Sequence, residues 1–138
     1  KEREFQFENM RDLLGFSLLS WQGAITQLGG EYAQMAKEHR RYTETYNQQS
    51  QVKMLFSKRV DVIQMDIQIF KYFRMLNSKS TQIDTSQEIQ LHALFGKSSN
   101  GFFFKSKRIN ELFNKNLKRI KKSGRLQEII DGYSGETP

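Results

Sequence analysis

The sequence VKMLFSKRVDVIQMD, residues 52–66, combines the end of a helix, a basic turn and a short strand. Val52, Leu55 and Phe56 recur at spacings of three and four, which places them on one face of a helix. After the basic pair KR, the β-branched run VDVI is too short for a helix and predicts a buried strand. The stretch ends on Asp66. A carboxylate at the C-terminal end of an apolar strand lies where open α/β sheets form their ligand crevice.

The segments before this stretch alternate between strand and helix patterns. The run FSLLSW, residues 16–21, predicts a buried strand, and apolar residues at helical spacing over residues 25–36 predict a helix. Gly29 and its neighbour Gly30 weaken that helix, so we expect a kink or a delayed start there. Residues 41–46 alternate as a second, more exposed strand, and the following Asn47 is a good N-cap for the next helix.

The segments after it continue the alternation. Asp66 is a suitable N-cap for a helix over residues 67–76, and a polar loop follows. Apolar residues alternate over residues 89–95, and the turn GKSSNG leads to an FFF run at residues 102–104. This pattern predicts a hairpin-like pair of strands. The whole order of elements predicts an α/β fold with a largely parallel sheet flanked by helices.

A long amphipathic helix and a shorter one are predicted at the end of the chain. Ser106 can cap the long helix, and Gly124 separates it from the shorter one. The apolar stripe of the long helix consists of Ile109, Leu112, Phe113, Leu117 and Ile120.

Length and composition limit the classes of protein to which the chain can belong. Its 138 residues suffice for one domain with a hydrophobic core. No apolar run approaches the roughly 20 residues needed to span a bilayer, and the N-terminus shows no apolar signal-peptide core. The chain starts with Lys1 instead of Met, so we expect a processed product or a piece of a longer protein. The absence of cysteine excludes disulfides, thiolate zinc sites and cysteine catalysis.

The positive charge is concentrated near the C-terminus. Residues 1–101 carry 13 basic and 11 acidic side chains, whereas residues 102–138 carry 9 and 4. Such a block can attract phosphates, which makes a basic nucleic-acid-binding module the rival hypothesis. However, cations also suit the C-terminus of a helix, and no helix-turn-helix, zinc-finger or RNA-recognition signature accompanies them. We therefore predict no nucleic-acid partner.

Three passages resemble the second lobe of periplasmic solute-binding proteins that deliver polar amino acids to ABC importers. DLLG followed by FSLLSWQGA (residues 12–24) is similar to the opening of that lobe, and SKRVDVIQMD (residues 57–66) to its "GrvDaxxxD" passage. INELFNKNLKRIKKSGRLQEIIDGY (residues 109–133) is similar to the closing helices of the family. The resemblance implies a type II periplasmic-binding-protein-like lobe, a periplasmic location, an amino-acid-like ligand, and the membrane subunits of an ABC importer as partners.

The resemblance also implies a domain organisation. Residues 1–138 form a single solute-binding lobe, with the sheet and its helices over about residues 8–106 and the C-terminal helices over residues 107–138. In the family a first lobe precedes this region, and the final helices pack largely on it. Without that partner we expect the apolar stripe of the long helix either to fold back on this lobe or to exchange with a second copy, giving a homodimer.

The candidate ligand-binding residues follow from the same resemblance. In the family, the loop after the first strand of this lobe presents backbone amides to the carboxylate of the ligand. Here Gly23 lets the backbone approach the ligand closely, but Ala24 stands where the family usually has Thr or Ser, so a hydroxyl contact is missing. Asp66 lies five residues after Asp61, which matches the spacing of the acid that binds the α-ammonium group. The predicted binding residues are Trp21, Gln22, Gly23, Ala24, Ile25 and Asp66.

Three of these residues can also be explained by a purely structural role. Gly23 suits a simple strand-to-helix turn, Asp66 an ordinary N-cap, and an aromatic residue such as Trp21 at a strand end is more often part of the core. Five further aromatic residues are predicted to pack against neighbouring side chains: Tyr32, Tyr42, Tyr46, Phe70 and Phe73.

An enzyme is the weakest functional hypothesis. No nucleophile elbow, paired histidine and carboxylate, or phosphate-binding loop is present, so no catalytic residue is predicted. His39 and His92 stand apart without metal-ligand spacing, so we predict neither a metal nor a cofactor. Within the same fold, the alternative to transport is a ligand-sensing domain of a membrane receptor or of a transcription regulator.

Overall fold

The computed structural model describes residues 5–96 and 101–134, which contain a mixed α/β fold. Its sheet has three parallel strands in the order β2-β1-β3. The strands are β1 (Leu18–Trp21), β2 (Tyr42–Thr45) and β3 (Val62–Ile63). The predicted α/β class with a parallel sheet flanked by helices is therefore confirmed.

The helices lie close to the predicted positions. A 3₁₀ helix, Met10–Gly15, precedes β1. The helices that follow are α1 (Ala24–Leu28), α2 (Gly30–Glu38), α3 (Gln48–Phe56), α4 (Ile67–Ser78), α5 (Lys107–Lys122) and α6 (Arg125–Ser134).

Local signals set the ends of these helices. Gly29 interrupts the α1–α2 pattern with a φ of 55°, a left-handed conformation that glycine adopts at little cost. The side chains of Asn47 and Ser106 accept hydrogen bonds from backbone amides in the first turns of α3 and α5. Such caps satisfy amides that have no partner inside the helix, which is why the predicted starts are confirmed.

Side chains of the sheet pack into one hydrophobic cluster on each of its faces. Leu18 of β1 and Val62 of β3 belong to the first cluster, together with the 3₁₀ helix, α1 and α2. The neighbouring Ile63 packs against the second cluster, which α3 and α4 form around Val52 and Phe70. Because successive residues of a strand point to opposite faces, these contacts place the helices on both sides of the sheet.

The predicted hairpin-like pair of strands is wrong. Residues 87–95 and 101–105 contain no strand, and the predicted turn between them lies largely outside the described residues. The apolar residues of the first segment cover the two clusters instead: Ile89 packs on the second cluster, and Leu94 and Phe95 pack on the first. The alternating pattern therefore reflects packing of irregular chain and not pairing in a sheet.

The chain forms two compact units, residues 1–95 and residues 96–138. In the second unit, α5 and α6 pack on each other, and the rings of Phe102 and Phe104 lie 5.2 and 5.0 Å from the ring of Phe113. No residue of α5 or α6 among those described is buried. Ile109 and Leu112 of the predicted stripe remain 53% and 49% exposed.

Within the described ranges, no helix combines the length and the apolar character needed to cross a membrane.

Candidate ligand site at the carboxyl edge of the sheet

The order of the strands creates a topological switch point between β1 and β3. From β1 the chain crosses to β2 on one side, and from β2 it crosses back over β1 to β3 on the other. In open parallel sheets, ligands bind in the crevice at the carboxyl ends of the two strands where this reversal occurs. The loop containing Gly23 follows β1, and Asp66 follows β3. The two predicted parts of the site therefore lie at the same edge of the sheet, after neighbouring strands.

The backbone amides of the Gly23 loop already hold a carboxylate. The Gly23 amide donates a hydrogen bond to Glu44 Oε2 at 2.8 Å, and the Ile25 amide donates one to Glu44 Oε1 at 3.2 Å. Gly23 has a φ of 90°, a left-handed conformation that costs an L-residue about 1–2 kcal/mol. Glycine at this position therefore allows the turn that directs both amides toward Glu44.

A hydrogen-bonded network keeps the Glu44 carboxylate in this place. Glu44 Oε1 also accepts a hydrogen bond of 2.7 Å from the Tyr42 hydroxyl, which in turn lies 3.4 Å from the hydroxyl of the buried Tyr32. Ser20 pairs with Glu44 in the register of the sheet, and its hydroxyl donates to Gln64 Oε1 at 2.7 Å. Polar contacts thus connect the carboxyl ends of all three strands.

The environment of Glu44 favours its ionised form. Burial by itself raises the pKa of Glu44, but hydrogen bonds from the Gly23 amide, the Tyr42 hydroxyl and the Ile25 amide outweigh it, so the pKa lies below the ordinary value of 4.5. Burial, together with the Tyr32 hydroxyl and Glu44, raises the pKa of Tyr42. At neutral pH an ionised Glu44 therefore accepts a hydrogen bond from a neutral phenol.

This shift predicts a pH-dependent contribution of Glu44 to stability. A depressed folded-state pKa stabilises the fold above the unfolded-state pKa, and this contribution disappears as the pH falls through the lower folded-state value. Urea denaturation from neutral pH to well below about 4.5 should therefore show a steeper loss of stability for the parent chain than for Glu44→Gln. Parallel stability profiles of the two proteins over that range would contradict the prediction.

Asp66 is exposed and caps α4. Its Oδ1 accepts hydrogen bonds from the amides of Gln68 at 2.7 Å and Ile69 at 3.2 Å. The predicted capping role is therefore confirmed, while the proposed contact with a ligand ammonium group stays a prediction. The two hydrogen bonds fix the position of this carboxylate at the start of α4.

The other predicted residues differ in their burial. Trp21 is partly buried and packs on the first hydrophobic cluster, and Ala24 is fully buried. Gln22 is exposed, and its amide donates to the carbonyl oxygen of Thr45 at 2.9 Å. Within this set, the amides of Gly23 and Ile25 donate to Glu44, and Asp66 supplies an exposed carboxylate.

Two residues that the sequence did not indicate belong to this edge. Glu44 appeared only as one member of an alternating strand, and its contact with Gly23 depends on the register between β1 and β2. Tyr46 was predicted to pack, but this is wrong, because its side chain is 86% exposed directly after the end of β2. An exposed aromatic ring two residues after the Glu44 carboxylate is a group that can attract a cation.

The two histidines have different surroundings. His39 is buried, with Nε2 2.9 Å from the carbonyl oxygen of Leu13 and Nδ1 accepting a hydrogen bond from the Arg41 amide. The ring of His92 lies 4.6 Å from the ring of Phe7. In the part of the chain that the structure describes, no group of three or more His, Cys, Asp or Glu side chains could hold a metal ion.

No family model, curated protein or solved structure matches this chain.

Proposed function

We propose that the chain is the second lobe of an extracytoplasmic solute-binding protein and forms one half of a cleft for an amino-acid-like solute. In this proposal the protein delivers the solute to the membrane subunits of an ABC importer in the periplasm and performs no chemistry. The lobe has the type II periplasmic-binding-protein-like fold, and a first lobe completes the cleft.

The observation that supports this proposal most is the placement of a loop and a carboxylate, Asp66, at the switch point of a parallel sheet. The Gly23 loop and Asp66 follow the central strand β1 and its neighbour β3. Crevices at this position are the usual ligand sites of open α/β sheets. Asp66 can there accept charge-assisted hydrogen bonds from an ammonium group, each of which contributes about 1.5–3 kcal/mol.

Nuclear magnetic resonance titration tests this role of Asp66. We expect millimolar addition of polar amino acids and of the corresponding amines to shift the amide resonances of Gln68 and Ile69. Both amides donate hydrogen bonds to Asp66. Millimolar concentrations are needed because one lobe supplies only part of the contacts. In Asp66→Asn these shifts should fall at least about tenfold, since asparagine keeps the helix cap and removes the charge.

Glu88→Gln serves as the matched control, because it removes one negative charge from an exposed position of the same unit. It should leave the ligand-induced shifts unchanged. Equal shifts in the parent, Asp66→Asn and Glu88→Gln would contradict the role of Asp66. Absence of any shift at these amides with the whole set of compounds would contradict the proposed function itself.

A further inference from the structure

We infer that Glu44 determines the ligand class of this lobe: it occupies the backbone amides of the Gly23 loop and so selects amines that lack a carboxylate over amino acids. This inference rests on the proposed function and specifies the solute that the site accepts.

The donors available to a ligand carboxylate are already used by Glu44. One carboxylate of the chain itself accepts three hydrogen bonds, from the amides of Gly23 and Ile25 and from the Tyr42 hydroxyl. An incoming carboxylate would have to break these bonds or share donors with an ionised group. Both routes are unfavourable, because like charges repel and each amide has a single proton to donate.

The position of Glu44 is fixed by the sheet and by the first hydrophobic cluster. Its backbone is paired with Ser20 in the central strand, and the Tyr42 ring packs edge-on against the buried Tyr32. On the other side, the carbonyl oxygen of Gly23 accepts hydrogen bonds from the amides of Thr26 and Gln27, which hold the loop in its turn. Both partners of the contact are therefore preorganised, so displacing Glu44 would cost more than moving a mobile surface side chain.

The side chains at the carboxyl edge of the sheet attract cations. Glu44 and Asp66 each place a carboxylate there, and both side chains belong to exposed residues. Tyr46 adds an exposed aromatic ring directly after β2, next to the strand end that carries Glu44. Ammonium groups bind to carboxylates and to aromatic faces, whereas a carboxylate of the ligand finds neither an open cation nor an open amide among these groups.

Matched pairs of ligands that differ only in the carboxylate test the inference. Agmatine and arginine form one such pair, and putrescine and ornithine form another. Titration of the parent chain, followed through the amide resonances of Gln68 and Ile69, should show at least about tenfold tighter binding of the amine in a pair. In Glu44→Gln the difference in affinity between the amine and the amino acid should shrink. The repulsive charge is gone, while an acceptor oxygen remains for the Gly23 amide.

The variant Glu44→Ala should change the preference further. It frees the amides of Gly23 and Ile25, so the amino acid of each pair should gain affinity and shift these two resonances. Glu31→Gln is the matched control, because Glu31 is an exposed glutamate on α2 of the same unit, and it should retain the preference of the parent. If Glu44→Ala does not fold, Glu44→Gln and the control still decide the question.

The outcomes separate the two proposals. Binding of the amine and the amino acid with equal affinity by the parent, or an unchanged preference in Glu44→Gln, would overturn the role of Glu44 and leave the solute-binding lobe intact. If neither member of any pair shifts Gln68 or Ile69 in the parent or the variants, the proposed function fails and the inference fails with it.

Discussion

Replacing Leu18 with alanine is expected to lower the free energy of unfolding of residues 1–95 by roughly 2–5 kcal/mol. Leu18 is 1% exposed, lies in the central strand and belongs to the first hydrophobic cluster. The substitution removes buried methyl groups and leaves a cavity, because the residues opposite it in the neighbouring strands are fixed by the sheet. Such a loss is a large share of the stability of a small domain.

Urea denaturation followed by tryptophan fluorescence measures this effect. Trp21 is the single tryptophan of the chain, and it packs on the same cluster as Leu18. Leu91→Ala is the control, since Leu91 is 68% exposed and its loss should change stability by less than about 0.5 kcal/mol. A midpoint of Leu18→Ala close to those of the parent and the control would contradict the assignment of Leu18 to the core.

Replacing Asp61 with alanine is expected to cost about 1.5–3 kcal/mol. Asp61 Oδ2 accepts hydrogen bonds of 2.8 Å from both the amide and the hydroxyl of Ser17, and the Ser17 hydroxyl also accepts a bond of 2.8 Å from the Asp61 amide. These contacts join the amino ends of β1 and β3. Removing the carboxylate leaves partly buried donors without their acceptor, which costs more than the loss of an exposed ion pair.

Asp61→Ala is best compared with Glu88→Gln, which also removes one negative charge. Glu88 is exposed, so its replacement should shift stability by less than about 0.5 kcal/mol in the same urea experiment. Ser17→Ala should reproduce part of the Asp61→Ala effect, and the double variant should lose less than the sum of the two, because both changes break the same contacts. Fully additive losses would show that the two residues do not act together.

The elements that were predicted correctly are determined by residues close to one another in the sequence. Asn47, Asp66 and Ser106 each accept backbone hydrogen bonds at the start of a helix, and Gly29 breaks a helix at its own position. Caps and glycine breaks depend on residues within one turn, so the sequence alone is sufficient to find them. The parallel pairing could be predicted because strand and helix patterns alternate over residues 16–63.

The features that were missed depend on contacts between distant residues. Residues 89–95 alternate like a strand, yet a strand also needs a partner for its backbone groups, and periodicity does not reveal whether a partner exists. The contact between Glu44 and Gly23 requires a particular register of two strands that are separated by helices α1 and α2. A shift of one residue would turn Glu44 to the other face of the sheet, and no local signal in the sequence excludes that shift.

The position of β1 at the centre of the sheet has a consequence for the folding of the nascent chain. Of the three strands of this sheet, β1 is synthesised first, and it pairs with Tyr42–Thr45 on one side and with Val62–Ile63 on the other. Both of its neighbours are therefore synthesised after it. Until they emerge, Leu18 and Leu19 remain exposed to solvent. Contacts between residues far apart in the chain form slowly, and uncovered apolar strands promote aggregation. Translation up to about residue 63 is therefore the interval in which we expect this chain to depend most on chaperones.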